Sequence, residues 1–135
     1  MGRVTKEFAQ IAARYISHWE IIEYATDSKI DVPSGTVREL ATKLEQIKDL
    51  RFQTSTEKYI GETSARGATV NGTQIHSVRL PGFTLGVDIV FGAANQTLII
   101  SHSSSNSALP YVEGALLAIR KVKNLVGVHR GLDVL

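Results

Sequence analysis

The sequence predicts a single α/β (α+β) domain in which helices pack on one face of a mixed, largely antiparallel open sheet. Apolar residues recur at helical spacing in three segments and in strand-like patterns in four others, so helices and strands are interleaved. The length of 135 residues and the hydrophobic content of 43% suit one core. No internal repeat or interdomain linker divides the chain. One domain over residues 1–135 is therefore expected.

The first part of the chain alternates helix, strand and helix. Residues 4–16 place apolar side chains three and four positions apart, which predicts an amphipathic helix. Residues 19–24 are rich in β-branched and aromatic side chains and are too short for a helix, so they predict a strand. Residues 36–48 return to helical spacing, with one apolar stripe that begins at Val37.

The second part begins with a long loop at residues 51–71, which are rich in Thr, Ser, Gly and charge, with a short strand expected at residues 58–60. Three strands are predicted next, at residues 73–80, 85–91 and 97–102, and we interpret them as an antiparallel meander. A third amphipathic helix is expected at residues 108–122, followed by an irregular tail at residues 125–135.

The composition excludes several classes of function. Without cysteine, the chain has no disulfide, no thiolate zinc site and no cysteine nucleophile, and an intracellular location is permitted. The net charge of +2 is spread among acidic residues, so nucleic-acid binding is not expected. No signal peptide and no apolar run long enough for a membrane helix are visible, which favours a soluble protein. No histidine pair has metal-ligand spacing, so no metal site is expected.

The stretch with the most candidate functional residues runs from Lys29 to the start of the second helix at Pro33-Ser34-Gly35-Thr36. Ser34 or Thr36 can cap that helix, and Thr36 has the spacing of a capping box with Glu39. Free backbone N–H groups at a helix start, together with the Lys29 ammonium, would bind a carboxylate or phosphate. The alternative is a well-capped helix beside a surface lysine. Local chemistry leaves both readings open.

This stretch resembles the signature of the dihydrodipicolinate reductases, nicotinamide-dependent enzymes of bacterial lysine and diaminopimelate synthesis. The shared pattern is Glu-Ile-Ile-Glu, five residues, and then Lys-x-Asp-x-Pro-Ser-Gly-Thr, here residues 20–36. The resemblance continues over nearly the whole chain, at residues 77–79, 99–102, 114–120 and 131–135. By contrast, the chain has no glycine-rich dinucleotide motif of its own.

The resemblance implies that the chain is the C-terminal, substrate-binding and oligomerisation domain of a two-domain reductase, whose N-terminal Rossmann domain is absent from these residues. Lys29 would be catalytic and would also contact the substrate. Ser34, Gly35 and Thr36 would bind one carboxylate of a cyclic dicarboxylate through hydroxyl and backbone N–H groups. NADH or NADPH would be bound by the missing domain and would supply the hydride. A homotetramer in the cytoplasm is also implied.

The chain departs from the family pattern at Ala25 and Thr26, where members commonly carry two histidines, the first regarded as the proton donor. Three explanations compete: Lys29 or a water serves as the acid, the substrate is a different imine, or the member no longer catalyses this step. We favour the first. A non-enzymatic binding protein and an assembly module remain the alternative functions. Of the four histidines, His102 lies nearest to a family-like position beside the site.

Overall fold

The computed structural model describes residues 2–47, 59–105 and 109–129. The chain begins with helix α1 (Arg3–Ala13), strand β1 (His18–Ala25) and helix α2 (Gly35–Glu45). A short 3₁₀ helix at Thr63–Arg66 leads into four strands and a last helix. These elements are β2 (Ala68–Val70), β3 (Thr73–Arg79), β4 (Leu85–Ala93), β5 (Gln96–Ser104) and α3 (Leu109–Val122).

The strands form one open sheet in the order β2-β3-β1-β4-β5. Strands β1 and β3 are parallel, whereas the β2–β3, β1–β4 and β4–β5 pairs are antiparallel. The parallel pair is joined through α2, as a βαβ crossover requires. The predicted fold class, a mixed and largely antiparallel sheet with helices, is confirmed.

The predicted meander is wrong in one respect. Strands β4 and β5 are neighbours, but β3 pairs with β1, and β1 lies between β3 and β4. The backbone N–H of Leu80, just after β3, donates to the carbonyl of Ala25 at the end of β1 (3.2 Å). Strand pairing depends on contacts between distant segments, so the local patterns that reveal each strand do not give their order.

Helices α1 and α2 cover one face of the sheet. The core joins alanines of α1 and the apolar stripe of α2 to alternate residues of the central strands, including Trp19, Ile21 and Phe91. Leu40 and Leu44 of α2 are fully buried in this layer. The Trp19 indole N–H donates to the hydroxyl of Thr73 (3.1 Å), which satisfies the polar atom of a buried ring.

Several boundaries differ from those predicted. Helix α1 ends at Ala13, before residue 16, and α2 begins at Gly35, one residue before the prediction. Of the strand expected at residues 58–60, residue 58 lies outside the described residues and Tyr59 and Ile60 are not in a strand. Strand β2 lies instead inside the segment predicted as loop. Residues 48, 108 and 130–135 of the predicted helices and tail are outside the described ranges.

Helix α3 differs from the other two because none of its residues is buried. Its apolar side chains remain exposed, for example Leu116 at 45% and Ile119 at 68%. No helix within the described ranges has the length and apolar character needed to cross a membrane. The buried core thus lies between the sheet and the helices α1 and α2.

Candidate functional site

The candidate site lies in the connection between β1 and α2, at the end of the sheet where β1 and the parallel β3 both finish. Ser34 is the N-cap of α2, and its Oγ accepts a hydrogen bond from the Val37 backbone N–H (3.4 Å). Thr36 is therefore inside the helix and does not form the predicted capping box. Glu39 instead accepts a hydrogen bond from Lys6 of α1 (2.6 Å). The helix start is well capped, as the sequence predicted, through Ser34.

The first residues of α2 leave room for a ligand. Gly35 is exposed, and a Cβ atom built on it would meet no atom within 4 Å. Thr36 is half-buried beside it. Ser34 is only 4% exposed, and both of its polar groups are engaged, because its N–H donates to Glu23 and its hydroxyl accepts from the Val37 N–H. Access is thus best at Gly35 and Thr36.

Lys29 lies on the loop that precedes α2. Its Nζ is 2.7 Å from Oδ1 of Asp31, and the two side chains are 31% and 49% exposed. The hydrogen bond from Lys29 is the main cause that holds the pKa of Asp31 below its ordinary value, and the Gly35 backbone N–H adds to this lowering of the pKa. One carboxylate is thus stabilised by both the lysine and the helix start.

Glu23 is a site residue that sequence reasoning missed. Its side chain points into the core, where the carboxylate accepts from the Ser34 N–H (3.1 Å to each oxygen), Ser77 Oγ (2.6 Å) and Arg79 Nη2 (2.8 Å). Burial alone would raise the pKa of Glu23, but these hydrogen bonds outweigh burial and hold the pKa below its ordinary value. A charged residue at an inward position of an alternating strand was the signal that could have revealed it.

Two arginines hold the backbone of the loop. Arg79 Nη2 donates to the Asp31 carbonyl (2.8 Å) as well as to Glu23. Arg38, in α2, donates to the carbonyls of Val32 (2.9 Å) and Pro33 (3.0 Å). The Val32–Pro33 peptide bond is cis. The three carbonyls before Ser34 are therefore each bound by a guanidinium.

The positions that carry histidines in the family offer no imidazole here. Ala25 is buried, and the Thr26 hydroxyl lies 3.0 Å from Asp27 Oδ1. His102, at the end of β5, lines a cavity of about 10 Å³ with Ser34 and Thr36. Two larger cavities, of about 410 and 480 Å³, also reach His102. Burial lowers the pKa of the His102 imidazole.

Two further histidines have partners outside this connection. His76 Nε2 lies 2.8 Å from Glu20 on the opposite face of the sheet, and Arg66 also contacts Glu20. His129 Nε2 lies 3.0 Å from the Val126 carbonyl. Among residues 2–47, 59–105 and 109–129, no three histidine or carboxylate groups are placed to hold a metal ion.

Comparison with known proteins agrees with the sequence signature. A family model described as "Dihydrodipicolinate reductase, C-terminus" matches residues 2–135. The chain belongs to this family. Similar relatives include the 4-hydroxy-tetrahydrodipicolinate reductases of Desulfitobacterium hafniense (strain DSM 10664 / DCB-2), 39% identical over 93% of this chain and 47% of the relative. That of Moorella thermoacetica is 43% identical over 93% of this chain and 46% of the relative.

A solved structure of the family is similar throughout the chain. It is a dipicolinate-bound dihydrodipicolinate reductase from Paenisporosarcina sp. TG-14, with a TM-score of 0.83 and 33% identity over 97% of this chain and 49% of that one. The chain thus spans about half the length of the family members it matches.

The β1–α2 connection does not fit a dinucleotide. A pyrophosphate cradle needs several glycines and free N–H groups at the helix start, whereas residues 26–36 contain one glycine. The Ser34 N–H is already bound to the Glu23 carboxylate. The connection therefore lacks the features of a pyrophosphate cradle.

Proposed function

We propose that this chain is the substrate-binding and oligomerisation domain of an NAD(P)H-dependent 4-hydroxy-tetrahydrodipicolinate reductase of lysine and diaminopimelate synthesis. The observation that carries the proposal is the exposed start of α2, where a Cβ atom at Gly35 would meet no atom within 4 Å. Lys29 lies on the loop that leads to this helix start, and its ammonium already pairs with one carboxylate, that of Asp31 (2.7 Å). Dipicolinate in the related structure is a cyclic dicarboxylate.

Each residue has a defined part in this proposal. Lys29 contacts a substrate carboxylate and is the first choice for the proton donor, because the family's histidine positions hold Ala25 and Thr26. The Ser34 hydroxyl, with the backbone and side chain of Gly35-Thr36, binds one carboxylate. Hydride transfer from NADH or NADPH and addition of a proton complete the reduction. A Rossmann domain outside these residues would bind the cofactor, and the complete enzyme would act in the cytoplasm.

Binding of dipicolinate (pyridine-2,6-dicarboxylate), measured by calorimetry, tests the site. Lys29→Ala removes a charge-assisted contact, so we expect about 10- to 100-fold weaker binding. Gly35→Ala tests the site more specifically, because it changes access to the backbone and leaves the charge unchanged. The added methyl group meets nothing in the fold, so stability is retained while the ligand's approach to the backbone is obstructed.

Lys43→Ala is the matched control, because Lys43 lies in the last turn of the same helix and pairs with Glu39. It should leave binding unchanged. If Lys29→Ala and Gly35→Ala bind dipicolinate as well as the unaltered chain does, the proposed site is wrong.

A role in assembly is supported by the sheet face opposite α1 and α2. Alternate residues there, including Ile22, Val78 and Val90, are half-buried, and Ile99 is 57% exposed. A second copy of the chain could pack against this face to form the proposed homotetramer. Ile99→Lys should shift the species measured by light scattering toward a monomer. Ile11→Lys on the outer side of α1 is the control and should not.

A divergent binding protein without catalysis is the remaining candidate, and Ala25 and Thr26 are the observation that favours it. The full-length protein should be assayed with the cyclic substrate and either NADH or NADPH. Turnover would exclude this candidate. Dipicolinate binding without turnover would support it over the reductase.

A further inference from the structure

A continuous series of polar contacts joins the core of the domain to Lys29. It starts at the Glu23 carboxylate, which is 2% exposed, and passes to Arg79 Nη2 (2.8 Å). The same nitrogen donates to the Asp31 carbonyl (2.8 Å), and the Asp31 carboxylate lies 2.7 Å from Lys29 Nζ. Four residues from β1, β3 and the loop between β1 and α2 are thereby linked.

Stability alone is a poor explanation for this arrangement. Glu23 lies in a layer whose neighbours on the same face of the strands include Ile21 and Val87. Desolvation of a buried ion pair costs several kcal/mol, and apolar residues of similar volume often serve stability equally well. The Arg79 guanidinium also keeps a buried Nε that has no partner among the described residues. We therefore ask whether the Glu23–Arg79 pair serves to orient the loop that follows β1.

The geometry favours control of the loop. Because β1 and β3 are parallel, the C-terminal ends of both strands lie at one edge of the sheet, and Arg79 at the end of β3 reaches the loop that follows β1. Arg79 fixes the Asp31 carbonyl from the core side, and Arg38 fixes the next two carbonyls from the helix side. The backbone at Asp31 is thus bound by a guanidinium, and the carboxylate that this backbone carries lies 2.7 Å from Lys29 Nζ.

We propose that Glu23 and Arg79 are positioning residues, which orient Asp31 so that its carboxylate holds Lys29 Nζ beside the start of α2. The effect on ligand binding rests on the proposed dicarboxylate site, whereas the effect on Asp31 and Lys29 exists without any ligand. Neither Glu23 nor Arg79 contacts the ligand. Their influence passes through the loop backbone.

Two variants test the proposal. Arg79→Lys keeps the positive charge but loses the planar fork that binds Glu23 and Asp31 together. Glu23→Gln keeps the shape and removes the negative charge. Charge alone predicts that Glu23→Gln strengthens binding of an anion, whereas the positioning role predicts weaker binding. For both variants we expect about tenfold weaker dipicolinate binding, the loss typical of one misplaced charged contact. Ser77→Ala is the control, since it removes a hydrogen bond to Glu23 without touching the loop.

The first readout needs no ligand. An NMR titration of the Asp31 carboxyl carbon should show its pKa returning toward the ordinary value in Arg79→Lys and Glu23→Gln, and staying low in Ser77→Ala. Amide spectra establish that each variant is folded, and the isosteric Glu23→Gln decides the matter if Arg79→Lys unfolds. An unchanged Asp31 pKa in a folded variant overturns the positioning role. If the unaltered chain binds no dipicolinate, the proposed function fails, and this titration still tests the positioning role by itself.

Discussion

Helix α2 of the β1–α2 region and helix α3 have similar apolar patterns in sequence, but the apolar face of α2 is buried and that of α3 is exposed. Leu40 and Leu44 of α2 are fully buried, whereas Leu116 and Ile119 of α3 are 45% and 68% exposed. Polar groups at the start of α2 are bound by Ser34, Glu23 and the arginines. An amphipathic pattern identifies the apolar side of a helix, but the surface that covers this side depends on the rest of the fold.

The largest expected difference between the two regions is in the cost of removing a leucine. Leu40→Ala should lower the free energy of unfolding by about 2–5 kcal/mol, because it leaves a cavity in a closed layer. Leu116→Ala, at an exposed position, should cost about 0.5 kcal/mol or less. Urea unfolding of both variants measures the difference. Equal losses would mean that α3 is packed as tightly as α2.

Removal of a carboxylate should show the same contrast. Glu23→Ala leaves the Arg79 guanidinium buried without its partner and should cost about 3 kcal/mol or more. Glu113→Ala removes an exposed carboxylate from α3 and should change the free energy of unfolding by about 0.5 kcal/mol or less. Urea unfolding at neutral pH compares the two, and a small loss for Glu23→Ala would contradict the importance of the buried pair.

The pH dependence of stability follows from the lowered pKa of Glu23 in the folded chain. A carboxylate with a lowered folded-state pKa stabilises the fold fully above its unfolded-state pKa, and this contribution is lost as the pH falls through the folded-state pKa. The chain should therefore lose stability in acid. Glu23→Gln should lose less with falling pH, though some dependence remains because the pKa values of Glu20 and Glu39 are lowered too. Unfolding measured from neutral to acidic pH tests this, and identical slopes would refute it.

The smallest expected effect concerns the cap of α2. Ser34→Ala removes the acceptor for the Val37 N–H and should cost about 1 kcal/mol. Ser105→Ala, at an exposed position after β5, is the control and should cost much less. Thermal unfolding compares the two serines. A larger loss for Ser105 would show that the cap is not what distinguishes the β1–α2 connection.

Much of the candidate site could be proposed from the sequence because the residue patterns that indicate it lie close together in the chain. Lys29, the Ser34 cap and the open Gly35 lie within a few residues of one another, and their roles depend on short-range geometry. Glu23 and Arg79 were missed as partners because 56 residues separate them. Their pairing exists only once β1 and β3 are parallel neighbours.

By itself, the sequence determined the helices, most strands, a cap for α2 at Ser34 or Thr36, and the resemblance to the reductase family. Periodicity and capping arise from contacts within one or two turns of the chain, and a signature is read residue by residue. Only the tertiary structure decided that β1 separates β3 from β4, that Glu23 is bound by Arg79, and that Arg79 reaches the Asp31 carbonyl. These features depend on which distant segments are neighbours, and that choice is made by the packing of the whole domain.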